Sequence, residues 1–164
     1  MRRGKSGRIE EACEGQARCP AGPSNFTGKV MDALLLAAGY ATRLYPITER
    51  FPKPLLKVGQ ETVLDRLVRR IEQSGVCRSI TIVTNDRFFP HFRTWADERP
   101  RGSSKCEVFL VNDGTENNDK RLGAVRDLHL ALSHPSCQRL NGTDLLVCAC
   151  DNLIGLDFAR LFDF

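Results

Sequence analysis

Residues 34–59 read LLLAAGYATRLYPITERFPKPLLKVG. A short apolar run ends in a glycine turn, an arginine follows, and a lysine then sits between two prolines. A continuous apolar run bounded by a turn marks a strand covered on both faces. The stretch therefore sets a strand end, a turn and two cations side by side. Gly39 can adopt φ > 0 and lets backbone N–H groups approach an anion closely. Thr42 offers a hydroxyl, and Arg43 a planar fork suited to phosphate oxygens. Pro46, Pro52 and Pro54 stiffen the segment that delivers Lys53, so its ammonium is held in place. These features describe a polyphosphate site. A Walker A loop is excluded, because Gly-Tyr-Ala-Thr-Arg stands where Gly-Lys-Ser/Thr would open a helix. A dinucleotide fingerprint is excluded too, because Gly39 has no companion glycines and the following run is too proline-rich for a helix.

Outward from this stretch the chain alternates. Apolar runs recur at ALLLAA (33–38), SITIVTN (79–85), CEVFLVND (106–113) and DLLVCACD (144–151). Each reads as a strand buried on both faces. Between them lie helical patterns. In ETVLDRLVRRIEQSG the stripe is Val63, Leu64, Leu67, Val68 and Ile71, with Gly75 as the stop. RFFPHFRTWADE places Pro90 near a first turn and aligns Phe88, Phe92 and Trp95 as core. RLGAVRDLHLAL predicts a stripe of Leu122, Val125, Leu128 and Leu132. Strand and helix alternating at this spacing predict an α/β fold, a Rossmann-like doubly wound and mainly parallel sheet. Ligands of such sheets bind beyond the carboxyl ends of the strands. Here those ends turn polar, as AGYATR, TNDR, NDGTENND and CDN.

The chain has 164 residues and a formal net charge of +4. Much of the excess lies in residues 1–30, with Arg2, Arg3, Lys5, Arg8, Arg18 and Lys29 against Glu10, Glu11 and Glu14. That distribution lacks the basic stripe of a nucleic-acid binder, so no nucleic-acid partner is expected. The seven cysteines are odd in number and contain no C-x-x-C pair, which suggests neither a disulfide framework nor a zinc site. Cys148 and Cys150 share a strand face and read as small buried hydrophobes. Reduced thiols point to the cytoplasm. No span approaches the ~20 apolar residues of a membrane helix. Residues 1–30 are expected to be a disordered leader, or an upstream start ahead of Met31, because they hold few large apolar side chains. Their interrupting glutamates argue against an organelle-targeting arm.

LAAGYATRLYPITERFPK, residues 36–53, resembles the signature of the sugar-phosphate nucleotidyltransferases, roughly L-A-x-G-x-G-T-R-L-x-P-x-T-x-x-x-[PS]-K. RLGAV at 121–125 is similar to the family's glycine loop at the nucleotide base, and CDNLIGLDF at 150–158 to its G-D-N segment. The resemblance covers residues 31–164 and implies a nucleotide-diphospho-sugar transferase type of fold. It implies that Leu36, Ala37, Ala38 and Gly39 border the nucleoside, with Tyr40, Ala41 and Thr42 completing the nucleotide loop. Arg43 would hold the β- and γ-phosphates, Lys53 the α-phosphate, Gly123 the base, and Asp151 the magnesium ion. The implied reaction is attack of a sugar 1-phosphate, or a similar phosphorylated small molecule, on the α-phosphorus of a nucleoside triphosphate, with pyrophosphate leaving. The attacking phosphate, with a second pKa of about 6, is already ionised near neutrality. No general base is then needed, and alignment and charge neutralisation by Arg43, Lys53 and Mg²⁺ remain as the protein's work.

Two positions depart from the pattern. Ala41 replaces the second loop glycine, so either that position is not left-handed or the loop is mildly strained. Cys150 replaces the glycine before Asp151. The chain also ends at LDFARLFDF, where the family continues into a sugar-contacting region. Residues 31–164 thus resemble the nucleotide-binding half, a truncated domain incomplete at its C-terminus. The alternative function is a truncated non-catalytic nucleotide-binding remnant or a regulatory subunit. A third reading, half of a Rossmann-type oxidoreductase, is opposed by the single loop glycine. An uncovered sheet edge would favour pairing into a homo-oligomer. In NDGTENND the ligand alternation of a calcium loop is missing; Asn117, Asn118 and Arg121 are expected in a solvated loop over the base. His91 is expected at a partly packed helix surface and His129 and His134 toward solvent. Asp157 is read as a helix cap and Asp163 as a surface charge.

Overall fold

The computed structural model describes residues 30–99, 106–152, 154, 155 and 158. The buried run at 31–36 forms β1 (Met31–Leu36), and a short hairpin of β2 (Lys57–Val58) and β3 (Glu61–Thr62) follows the proline-rich loop. The hairpin has no counterpart in the sequence reading. The chain then runs through α1 (Val63–Ser74), β4 (Cys77–Thr84), α2 (Phe89–Asp97), β5 (Glu107–Asn112), α3 (Ala124–Ser133) and β6 (Asp144–Ala149). The four long strands make one parallel sheet in the order β5-β4-β1-β6.

Helix α1 starts where Thr62 and Asp65 close a capping box: the Asp65 N–H donates to Thr62 Oγ1 at 2.9 Å and the Thr62 N–H to Asp65 Oδ2 at 3.1 Å. It stops at Gly75, whose φ of 71° is left-handed. The expected stripe is buried throughout, with Leu64, Val68 and Ile71 fully so. On the sheet face below α1 and α2, Ala33, Leu35, Ile80 and Ile82 pack with that stripe and with Phe88, Phe92 and Trp95. Each large apolar side chain buried there contributes ~1.5–3 kcal/mol relative to exposure. Asp65 also accepts from Trp95 Nε1 at 2.8 Å, so one carboxylate caps α1 and docks α2. His91 sits half-buried, edge-on to Phe51 at 5.2 Å between ring centroids. Cys150 is buried in the same layer and Cys148 packs against it.

The opposite face differs from expectation. Leu34, Val83 and Val111 pack beneath α3. The stripe of Leu122, Val125, Leu128 and Leu132 is out of phase with the helix. Leu122 precedes α3, Val125 is 81% exposed, and the residues turned fully inward are Asp127 and Ala131. Gly123, at φ 86° and ψ 158°, delays the helix start past Leu122. The small Ala131 side chain then lets the helix lie close to the sheet. His134 is half-buried rather than solvent-facing, while His129 is exposed.

A second correction concerns the strands. β1 and β4 are buried on both faces, but β5 and β6 are mostly half-exposed, with Val147 of β6 43% exposed. Among the described residues each of these two strands has a neighbour on one side only. At the amino end of β1, Asp32 is fully buried. It accepts from Ser79 Oγ at 2.6 Å, Arg78 Nη2 at 2.5 Å and Thr143 Oγ1 at 3.1 Å. Burial opposes its ionisation, but bonds from Arg78 and Ser79, the Arg78 charge and Thr143 outweigh it and hold the carboxyl below its ordinary range. Residues 1–29, Asp157 and Asp163 lie outside the described residues.

Candidate functional site

The chain leaves β1 for β4 and then β5, and returns across the sheet to lay β6 on the other side of β1. The strand order reverses between β1 and β6, and in open parallel sheets the crevice beyond that reversal is where ligands sit. At this point Cys150 N donates to Leu36 O at 3.0 Å, continuing the β1–β6 pairing to the strand tips.

The two candidate groups farthest apart in sequence meet there. Lys53 Nζ lies 3.2 Å from Asp151 Oδ2, across a separation of 98 residues. Lys53 stands in a single 3₁₀ turn between the buried Pro52 and Pro54, which fixes the backbone that carries it. The pair stays open to solvent, at 34% and 49% side-chain exposure.

The loop after β1 is built differently from the sequence reading. Gly39 does not adopt positive φ; the left-handed residue is Ala41, at φ 46° and ψ 42°. What glycine supplies at position 39 is room, since a Cβ built there meets nothing within 4 Å. Ala41 O accepts from Leu44 N at 2.9 Å and from Thr48 Oγ1 at 2.8 Å, which fixes the strained turn. Thr42 and Arg43 follow, both exposed, and among the described residues Arg43 pairs with no carboxylate.

Leu36 is half-buried at the strand tip, while the Ala37, Ala38 and Tyr40 side chains are buried. These three can therefore offer a ligand only their backbone. Tyr40 serves as a strut: its hydroxyl donates to Thr115 O at 2.7 Å, tying the loops after β1 and β5. Asn85, after β4, donates to Ala38 O at 3.0 Å, and Asp86 N donates to Thr115 O at 2.9 Å. The polar strand ends thus converge on one edge. Gly123 caps α3 with an exposed backbone. Asn117, Asn118 and Arg121 bond locally, with Arg121 Nη1 donating to Asn118 Oδ1 at 2.9 Å. Beyond Asp151, Asn152, Ile154 and Gly155 line a cleft of about 190 Å³ with Arg66, Arg69 and Arg70 of α1.

Sequence reasoning missed one cluster. Asp127, 5% exposed, faces Asp113, whose Oδ1 accepts from Thr115 N and Oγ1, each at 2.7 Å. Burial first, then the charge and hydrogen bond of Asp113, push the Asp127 carboxyl up to about 6. Burial likewise raises Asp113, with Asp86 adding to the shift and the Thr115 bonds opposing it. The polar strand-end residues were visible in sequence, but the helical phase that turns Asp127 inward was not.

Among the described residues no helix is long and apolar enough to cross a membrane. Several known proteins share this architecture or parts of the sequence. The bifunctional protein GlmU of Methanococcus aeolicus is 49% identical over 43 residues, 26% of this chain and 10% of that protein. The choline-phosphate cytidylyltransferase of Streptococcus pneumoniae is 40% identical over 53 residues, 32% of this chain and 23% of that protein. A Bacillus anthracis structure assigned as a glucose-1-phosphate thymidylyltransferase superposes with a TM-score of 0.61 at 23% identity, covering 80% of this chain and 48% of that one. The chain thus spans about half the length of that solved relative and less of the curated ones. With the nucleotidyl transferase family model matching residues 32–164, the chain belongs to that family.

Proposed function

We propose that the chain transfers a nucleoside monophosphate from a nucleoside triphosphate to a sugar 1-phosphate or a similar phosphorylated small molecule, releasing pyrophosphate. The observation that carries this reading is the meeting of Lys53 and Asp151 at the sheet's switch point, beside a roomy glycine loop followed by Arg43. Family membership and the sugar- and choline-phosphate names of the relatives agree with it.

In this reading Arg43, exposed and without a carboxylate partner among the described residues, takes the β- and γ-phosphates. Lys53 neutralises charge at the α-phosphate, and the loop backbone from Leu36 to Thr42 and Gly123 borders the nucleoside. The acceptor phosphate is its own nucleophile, so no side chain has to remove a proton in the chemical step. Mg²⁺ would be held by Asp151, whose half-exposed carboxylate suits an ion that keeps water and takes phosphate oxygens beside one or two carboxylates. When bound it supplies positive charge that stabilises the triphosphate and the leaving pyrophosphate.

The test is pyrophosphate release over a panel of nucleoside triphosphates against sugar 1-phosphates and phosphocholine, with and without chelator. Release that needs both substrates and disappears with chelator is expected. Turnover that survives Asp151→Ala would remove the metal assignment. A second reading is nucleotide binding without turnover. Triphosphate binding with no pyrophosphate from any pair would select it.

A further inference from the structure

Two carboxyl groups meet beneath the loop after β5. Asp113 leaves the sheet on the same face as Val111, which packs under α3, and Asp127 lies in the first turn of that helix. Asp127 Oδ1 and Asp113 Oδ2 are both buried, and neither reaches a donor among the described residues. The two side chains are within hydrogen-bonding reach of each other. Ionised together they would leave two orphan oxygens and a like-charge contact out of water. One proton between them satisfies both atoms and removes the repulsion.

This pair joins two parts of the site. On one side Asp113 holds Thr115, which Tyr40 and Asp86 also grip, so the loops after β1, β4 and β5 are tied to one another. On the other side Asp127 N donates to Gly123 O at 3.0 Å, closing the first turn of the helix that Gly123 caps. We propose that Asp113 and Asp127 share one proton and that this proton, by fastening the start of α3 to the loop after β5, positions the Gly123 backbone for the nucleotide. The positioning role rests on the nucleotide-transfer reading; the shared proton does not. Asp127 touches no substrate and is a positioning residue.

Among the described residues Asp86 after β4 and Tyr40 after β1 bear on Asp113, and Arg87 bears on Tyr40. Asp86 adds to the pressure on Asp113, whereas Arg87 is engaged with the Glu49 carbonyl and the Phe88 ring. A carboxyl raised in the folded state supports that state fully below its unfolded pKa. The support fades as pH rises through its folded value, here about 6.

The experiment compares wild type with Asp127→Asn, whose amide donates to Asp113 at every pH. Mg²⁺-free ATP affinity is measured at pH 5 and pH 8, and carboxyl ¹³C NMR follows the ligand-free proteins between them. ATP's own titration cancels in the ratio of the two dissociation constants. The wild-type to variant ratio is expected near one at pH 5 and about 3- to 10-fold at pH 8, below the ~100-fold ceiling set by a displacement of about two pKa units. Asp127→Ala, lacking a donor, is expected to bind weakly at both. One wild-type carboxyl is expected to titrate near pH 6 and to vanish in Asp127→Asn; Asp113→Asn is the reciprocal check should that variant not fold. Absence of such a carboxyl, or its loss on adding chelator, overturns the shared proton. A flat ratio with ATP bound overturns the positioning role alone. No binding of ATP, CTP, GTP, UTP or dTTP beside a carboxyl titrating near pH 6 overturns the nucleotide reading and leaves the shared proton standing; a triphosphate other than ATP that binds replaces ATP in the ratio.

Discussion

Ala41→Gly is the most informative single change, because it tests the built-in strain of the loop after β1. Ala41 sits at φ 46°, ψ 42°, in the left-handed region where a Cβ crowds the following carbonyl. That conformation costs an L-residue ~1–2 kcal/mol. Glycine removes the crowding but loses ~0.5–1 kcal/mol of backbone freedom on folding. The difference favours glycine by ~0.5–1 kcal/mol, which for a domain of this size raises Tm by roughly 1–4 °C. The two hydrogen bonds accepted by Ala41 O use the backbone and survive the change. Urea unfolding followed by circular dichroism should therefore show a higher midpoint at unchanged slope, and triphosphate affinity should hold or improve. Gly123→Ala is the mirror case. A Cβ there meets nothing within 4 Å, yet φ 86° and ψ 158° belong almost to glycine alone. A loss of ~1–3 kcal/mol is expected from strain without any clash. Were Ala41→Gly to destabilise the fold, or to weaken triphosphate binding more than about tenfold, the reasoning about this loop would be refuted.

Two further outcomes follow from the geometry. A double-mutant cycle of Lys53→Met and Asp151→Asn should give a coupling of only ~0.2–1 kcal/mol to stability, because the pair is substantially exposed; a larger loss of ATP–magnesium binding than of stability in each single variant would separate ligand role from scaffold role, and equal losses would deny it. Asp32→Asn should lower stability at neutral pH by ~1–3 kcal/mol, since the charge-assisted bonds that the buried carboxylate accepts from Ser79, Thr143 and the half-exposed Arg78 are weakened. Because the Asp32 carboxyl is held below its ordinary range, its contribution is present above the unfolded value of 3.8 and fades as pH falls through the folded one, so wild type and variant should converge in acid. Parallel pH curves would mean that Asp32 is not the group concerned.

Much of this protein is written locally. The stripe Val63, Leu64, Leu67, Val68 and Ile71 carries its own period, and Thr62, Asp65 and Gly75 carry the ends of α1, so helix and limits are legible without a partner. The run through Gly39, Arg43 and Lys53 is legible by residue type and spacing as a candidate polyphosphate site, and the polar strand tips put it at one edge of a parallel sheet. What the sequence could not supply is whatever depends on elements far apart in the chain. Lys53 meets Asp151 only because β6 returns to the side of β1 away from β4. Val125 faces solvent and Asp127 the interior because Ala131 must seat α3 against the sheet, a contact that no helical period reveals. The turn at Ala41 is left-handed because Thr48 and Leu44 grip its carbonyl, against the residue's own preference. Local periodicity reports what a segment prefers by itself, whereas the proximity of two carboxyl groups or of an ammonium and a carboxylate is decided by the order in which strands are laid down.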